Sequence, residues 1–237
     1  MRFAAILRTL LLGASSRARV VGLGAAGVVG IVVAVFLRGS TTIDPARTAV
    51  TLVDGFGLTL LIPIAALVFG TATLGDPIED GTYVYLWLRP IRRWQISVAG
   101  YLVTLGLVIP LGVVPTVIGA AVIDSSASTI RGAIGAALIA AVAYSAVFVV
   151  LGQLTQRALV WGVGYLLIFE EFICRGGKAL GFVSVHSHAV SVLARATSLD
   201  MSPLDYFASS TGWIVSMVLT LVLIGLSSLR QNSMNVA

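Results

Sequence analysis

The chain has 237 residues, of which 58% are hydrophobic and only 11% are charged, and its mean hydropathy is +1.02. Soluble domains carry about 25% charged residues, so this composition excludes an ordinary soluble protein. The net charge of +5 comes from basic residues that flank apolar runs, which indicates orientation in a membrane rather than binding of nucleic acid. The lone Cys174 excludes an internal disulfide and a CxxC metal or redox site.

The N-terminal segment, residues 1–19, is predicted to form a helix that lies along the membrane surface. Apolar residues from Phe3 to Leu11 recur at helical spacing and form one stripe, and arginines lie off that stripe. This pattern is typical of interfacial helices. A cleaved signal peptide is the alternative, but Arg8 interrupts what would be its apolar core.

Six apolar segments are predicted to cross the membrane as helices, which gives an all-α integral membrane fold in a single domain, residues 1–237. The spans cover about residues 20–37, 52–74, 96–123, 132–152, 158–174 and 206–229. Proline residues inside the second and third spans predict kinks or bends there. Residues 75–95 form a loop between these two spans.

The fifth span allows two geometries, because its apolar run, 158–169, covers only about 18 Å of a membrane core about 30 Å thick. Either the helix continues through Glu170 and Glu171 to Cys174, or it stops early and the chain re-enters the membrane. Residues 175–205 are predicted to form an outer, re-entrant-like amphipathic segment.

Six spans place both termini on one side of the membrane, and the positive-inside rule favours the cytoplasmic side. With N-in, C-in topology the cytoplasmic basic residues are Arg2, Arg8, Arg17, Arg19, Arg89, Arg92, Arg93, Arg157 and Arg230. The outer ones are Arg38, Arg47, Arg131, Arg175, Lys178 and Arg195. The loop between the second and third spans then faces the cytoplasm.

The sequence carries no motif of a nucleotide-hydrolysing or hydrolytic enzyme. The string CRGGKAL lacks the glycine spacing and the hydroxyl residue of a phosphate-binding loop, and neither HExxH nor GxSxG occurs. His186 and His188 offer two imidazoles, but no further ligand accompanies them at a telling spacing. We therefore predict no enzyme activity and no metal site, and we expect the two histidines to lie on a wet surface loop.

Glu170, Glu171 and Asp54 are the candidate pathway residues, because carboxylates at membrane depth often mark ion or substrate paths. They are interfacial residues if the helices end beside them. Their presence keeps an ion-coupled secondary transporter as the alternative function. The halves of the chain show no internal repeat, which such carriers often have.

The stretch GDPIEDGTYVYLWLRPIRRW, residues 75–94, concentrates charge in a chain that has little of it. Asp76-Pro77 is expected to end the second span, Thr82 to serve as an N-cap, and Arg89-Pro90 to begin the next helix. The arginines and Trp94 are typical membrane anchors. The acidic residues and the exposed aromatic ones instead predict a surface for a partner.

Here the sequence resembles the ABC-2 type transporter permeases, especially the NosY-like branch. Permeases of this kind carry a pattern close to E-x-E-x-G-T-x-x-x-L-L-x-x-P-x-x-R between their second and third spans. The matching positions are Glu79, Gly81, Thr82, Leu86, Pro90 and Arg93, with Asp80 and Arg89 as common companions. The chain departs from the pattern at Pro77, which replaces the first acid beside Asp76, and at Tyr101, where a lysine is frequent.

The resemblance implies a permease subunit of an ATP-binding cassette exporter whose ATPase is a separate chain that carries ATP and Mg²⁺. The 76–93 loop would dock on that ATPase. The docking residues so implied are Asp76, Glu79, Asp80, Gly81, Thr82, Tyr83, Leu86, Trp87, Arg89, Pro90 and Arg93. Further implications are a second copy or a paralogous permease, and a place in the bacterial plasma membrane. The substrate stays open, and a scaffold protein without transport is a third possibility.

Overall fold

The computed structural model describes residues 2–40, 44–82, 92–155, 157–174, 178–201 and 207–233. Within these ranges every regular element is a helix. The helices are α1 (Arg2–Ala14), α2 (Arg17–Ser40), α3 (Pro45–Glu79), α4 (Arg93–Ile123), α5 (Ala127–Leu154), α6 (Ala158–Gly164), α7 (Lys178–Gly181), α8 (Val185–Thr197) and α9 (Ser209–Ser233). A π-helical segment, Tyr165–Ile173, continues α6.

Five of the described helices, α2, α3, α4, α5 and α9, are long and apolar enough to cross a membrane. The prediction of an all-helical, multi-pass membrane protein is therefore confirmed at this level. The predicted fifth span, 158–174, is a short apolar helix with its π-helical continuation and is not one of the five. A sixth crossing and the N-in, C-in orientation stay predictions.

Pro63 in α3 and Pro110 in α4 lie directly after or within π-helical segments. A π-helical segment, Val53–Leu61, directly precedes the turn of α3 that holds Pro63, and another, Ile109–Val113, includes Pro110 in α4. Proline lacks an N–H and its ring collides with the carbonyl four residues earlier. A π-helical turn pairs residues five apart instead of four, and each long helix continues past its proline.

The end of α3 corrects one expectation, since the helix does not stop at Asp76-Pro77 but continues to Glu79. The backbone N–H of Asp80 still donates to the carbonyl of Asp76 at 2.9 Å. Gly81 then adopts φ +68°, a left-handed conformation that suits glycine and ends helices. The glycine, not the proline, therefore ends α3.

The start of α4 corrects a second expectation. Arg92 has an extended backbone, with φ −68° and ψ 129°, and α4 begins at Arg93 rather than at Arg89-Pro90. Residues 83–91 lie outside the described residues, and with them the predicted docking residues Tyr83, Leu86, Trp87, Arg89 and Pro90.

Helix α5 lies at the centre of the bundle, with α3, α6, α8 and α9 packed against it. Its alanines, from Ala133 to Ala146, are almost completely buried. Glycines bring α3 and α5 into backbone contact: a Cβ added at Gly152 would lie 2.9 Å from the carbonyl oxygen of Thr71. Small residues of this kind let membrane helices approach closely.

The bundle has two ends, which we call the near end and the far end. At the near end Arg19, Asp76, Arg93, Gln153 and Arg230 come together. At the far end α8 packs beside the beginning of α5 and of α9, where added Cβ atoms at Gly132 and Gly212 would touch Leu193 and His188.

Candidate coupling site and the carboxylates of the bundle

The segment 76–93 is tied to the bundle at both of its ends. Arg19 Nη2, at the start of α2, donates to Asp76 Oδ2 at 2.8 Å in a partly exposed ion pair. Arg93 Nη1, at the start of α4, donates to the carbonyl oxygen of Gln231 in α9 at 2.7 Å. The chain between these two ties leaves α3 and returns to α4 at the near end.

The residues that follow Asp76 turn outward at this end. Glu79, Asp80, Gly81 and Thr82 are all exposed. The Thr82 hydroxyl donates back to the carbonyl of Pro77 at 3.4 Å, which tightens the turn after α3. Among the residues that the structure describes, no cationic group pairs with Glu79 or Asp80.

A chain of buried polar side chains fastens α4, α5 and α9 to one another below this surface. Gln153 Nε2 donates to Ser227 Oγ at 2.7 Å, and Ser227 Oγ donates to Ser97 Oγ at 2.8 Å. Arg230 Nε donates to the carbonyl of Gln153 at 3.2 Å. Sequence reasoning missed these residues and Arg19. The sequence shows that these residues are polar and lie at the ends of apolar spans. It does not show that they have hydrogen-bond partners on other helices.

Glu170 lies inside the bundle, and both of its carboxylate oxygens accept hydrogen bonds. Its side chain is 3% exposed. Oε1 accepts hydrogen bonds from the Tyr165 hydroxyl at 2.8 Å and from the Val185 backbone N–H at 3.1 Å, and Oε2 accepts from Ser184 Oγ at 2.5 Å. The carboxylate thus binds the N-terminus of α8, where helix N–H groups lack partners and favour negative charge.

Asp54 lies in the π-helical turn of α3, and its Oδ1 is 3.0 Å from Nε2 of His186 in α8. His186 and His188 are only 2% and 1% exposed, so the expectation of a wet surface loop is wrong. His188 Nε2 lies 2.8 Å from the carbonyl oxygen of Phe182, and its ring packs against Phe207. Both histidines contribute to the packing of the far end because α8 turns this face toward α3 and α5.

The candidate pathway residues therefore do not form one site in the part of the chain that is described. Glu170 caps α8, Asp54 pairs with His186, and the side chain of Glu171 lies outside the described residues. No group of three or more His, Cys, Asp or Glu side chains that could hold a metal ion occurs among the residues searched.

The comparison with protein families agrees with this architecture. The sequence model of a family described as "ABC-2 family transporter protein" matches residues 16–170, which is more than half of the chain and spans α2 to α6 with most of its continuation. No curated protein matches the chain. The matched region includes the near-end turn with Glu79 and Asp80, and the chain is therefore a multi-pass membrane protein that belongs to the ABC-2 family of transporters.

Proposed function

We propose that the chain is the permease subunit of an ATP-binding cassette exporter of the NosY-like branch, located in a bacterial plasma membrane. Two such chains, or this chain and a paralogue, form the substrate pathway. A separate ATPase subunit binds ATP and Mg²⁺, and it docks on the segment 76–93 of this chain. Family membership and the membrane-crossing helices support the transporter class.

The observation that carries the docking proposal is the way in which the segment is tied to the bundle. Asp76 is bound to α2 through Arg19, and Arg93 is bound to α9 through the carbonyl of Gln231. Between these ties Glu79 and Asp80 present carboxylates without a described partner. A protein that binds these carboxylates therefore holds a segment that is fixed to the membrane-crossing helices, and it can exert force on those helices through the segment.

The ties join the near-end helices in two groups, and α3 of one group also packs against α5 of the other. The Arg19–Asp76 pair joins α2 to α3, and the Ser97–Ser227–Gln153 chain joins α4, α9 and α5. The segment 76–93 is the covalent connection between the groups. When two ATPases close on ATP, they draw their docked segments together, and each segment pulls on α3 and α4, the two helices that it connects. Such a switch operates only if the ATPase binds the two states with different affinity.

The geometry gives little support to the alternative function, an ion-coupled carrier that uses membrane carboxylates. A transported ion needs ligands that it can exchange, whereas Glu170 already accepts three hydrogen bonds from its own chain. Asp54 is likewise in contact with His186. Glu170 thus acts as a structural group that holds the N-terminus of α8 in place.

The proposal is tested by isolating the tagged chain from its native membranes in mild detergent and identifying what accompanies it by mass spectrometry. We expect an ATPase with phosphate-binding-loop motifs at about one copy per permease chain, and ATP hydrolysis by the isolated complex. Isolation of the chain without any ATPase, together with gradient-driven transport by the chain alone in ATP-free liposomes, would establish the carrier instead.

A further inference from the structure

An open apolar groove runs between the near-end half of α5 and the helix α6. It has a volume of about 530 Å³ and is lined by Leu151, Leu154, Thr155, Trp161, Gly164, Tyr165, Ile168 and Phe169. Its size falls in the range of small-molecule sites. A Cβ placed on Gly164 would meet nothing within 4 Å, so the protein itself leaves this part of the groove unfilled.

Two polar clefts adjoin the groove at the near end. One, of about 250 Å³, includes Glu79, Thr155 and Arg157, and the other, of about 260 Å³, includes Glu79, Gln153, Thr155 and Arg230. Thr155 also lines the apolar groove. The polar clefts and the groove therefore adjoin at Thr155, with charged side chains on one side of it and apolar side chains on the other.

Gln153 brings an unused acceptor to this site. The side chain is 4% exposed, and its Nε2 donates to Ser227 Oγ at 2.7 Å. Its Oε1 has no hydrogen-bond partner among the described residues. A buried polar atom without a partner is costly. A ligand group with N–H donors that also reaches the Glu79 carboxylate would satisfy it.

We propose that this site binds a phospholipid whose headgroup carries a primary amine, as in phosphatidylethanolamine. The ammonium group donates to Gln153 Oε1 and to Glu79, the phosphate binds the Arg157 guanidinium, and an acyl chain lies in the groove beside Gly164. Charges of both signs in one cleft match a zwitterionic headgroup. A choline headgroup has no N–H donor and leaves Gln153 Oε1 unsatisfied. The inference requires the chain to lie in a membrane and does not require the ATPase, although the lipid site shares Glu79 with the proposed docking segment.

The test is lipid retention measured by native mass spectrometry. The purified chain is equilibrated in vesicles of equal parts phosphatidylethanolamine, phosphatidylcholine and phosphatidylglycerol, extracted, and weighed with its bound lipids. We expect phosphatidylethanolamine to exceed phosphatidylcholine about tenfold, the factor that one good charge-assisted hydrogen bond supplies. Arg157→Gln should lower the retention of all three lipids at the site, because each carries a phosphate, and Gly164→Phe should fill the groove and so remove the site and the preference. Glu79 is left unchanged because it also belongs to the proposed docking segment.

The matched control is Gly22→Phe, since Gly22 on α2 also has open space around an added Cβ and lies outside the groove; this variant should retain the lipid preference. Equal retention of all three lipids by the wild-type chain would overturn the proposal, and so would preference for phosphatidylglycerol. If Gly164→Phe instead converts a dimer to a monomer and leaves the lipid preference intact, the groove is an interface between copies and the proposal is wrong. If Gly164→Phe does not fold, the amount of lipid that Arg157→Gln retains decides the test, because Arg157 is exposed and its substitution should not affect folding.

Discussion

Glu79 and Asp80 at the near end of the bundle differ from Glu170 and Asp54 at the far end in the contacts that their carboxylates make. At the near end Glu79 and Asp80 are exposed, without a cationic partner among the described residues. At the far end Glu170 accepts three hydrogen bonds and Asp54 contacts His186. Asp124, between α4 and α5, accepts hydrogen bonds at 2.6 Å from Ser126 Oγ and Thr129 Oγ1.

The difference separates two roles that look alike in a sequence. A buried carboxylate with every oxygen engaged stabilises the fold, since removing it leaves its donors unsatisfied. An exposed carboxylate on a tied segment adds little to stability and is available for binding. Substitutions at the far end should therefore change stability, and substitutions at Glu79 and Asp80 should change association.

The largest effect is expected for Glu170→Ala. The substitution leaves the Tyr165 hydroxyl, the Ser184 hydroxyl and the Val185 N–H without their acceptor inside the bundle. We expect a loss of roughly 3–5 kcal/mol in the free energy of unfolding, measured by denaturant titration of the purified protein in detergent micelles. Glu170→Gln keeps an acceptor oxygen and should cost clearly less. Equal stability of Glu170→Ala and the wild-type chain would refute the capping role.

A smaller effect is expected where α3 crosses α5. Gly152→Leu pushes a side chain against the Thr71 backbone, which an added Cβ would already approach to 2.9 Å. Overpacking of this kind costs about 1–3 kcal/mol. The matched control is Gly225→Leu on α9, where an added Cβ meets nothing within 4 Å. The same denaturant titration compares the two, and a similar loss in both variants would contradict the close crossing.

The sequence was sufficient to predict a helical membrane protein, because membership of this class depends on composition and on the length of apolar runs. It located α2, α3, α4, α5 and α9 but placed the end of α3 too early, at Pro77. Whether a helix continues past a proline depends on compensating contacts, and here the glycine after the turn, Gly81, ends the helix. The short helix α6 was recognised from its length, while its π-helical continuation left no visible pattern.

The candidate site was predictable only where it depends on a local motif. Glu79, Asp80 and Gly81 follow one another in the chain, so their resemblance to the permease pattern was visible directly. Arg19 lies far away in sequence, and its pairing with Asp76 depends on the packing of the helices, which a local motif does not show. The prediction that His186 and His188 lie on a surface loop was wrong. A short segment that mixes polar and apolar residues is compatible with a surface loop and also with a helix that packs inside a bundle.

The smallest effect is expected from Asp124 and depends on pH. Slight burial acts to raise the pKa of Asp124, but hydrogen bonds from Ser126 and Thr129 outweigh it and lower the pKa below its usual range. A lowered pKa stabilises the folded state above the unfolded value of about 4 and loses this contribution as the pH falls through the folded value. We expect Asp124→Asn to cost less than about 1 kcal/mol at pH 7.

The measurement is the melting temperature of both proteins at pH 7 and at pH 3. The gap between the wild-type chain and Asp124→Asn should shrink at pH 3, because the unfolded wild-type chain then binds a proton at Asp124 more readily than the folded chain does. A gap that is unchanged between the two pH values would show that the charge of Asp124 is not involved.

The comparison of the two ends is tested most directly by the amount of ATPase that remains bound per permease chain. We compare the double variant Glu79→Gln, Asp80→Asn with Glu170→Gln after identical isolation, and we measure the melting temperature of each. The double variant should lose most of the ATPase and keep the wild-type melting temperature, whereas Glu170→Gln should keep the ATPase and melt earlier. Full retention of the ATPase by the double variant, with the fold intact, would contradict the docking role of the segment 76–93.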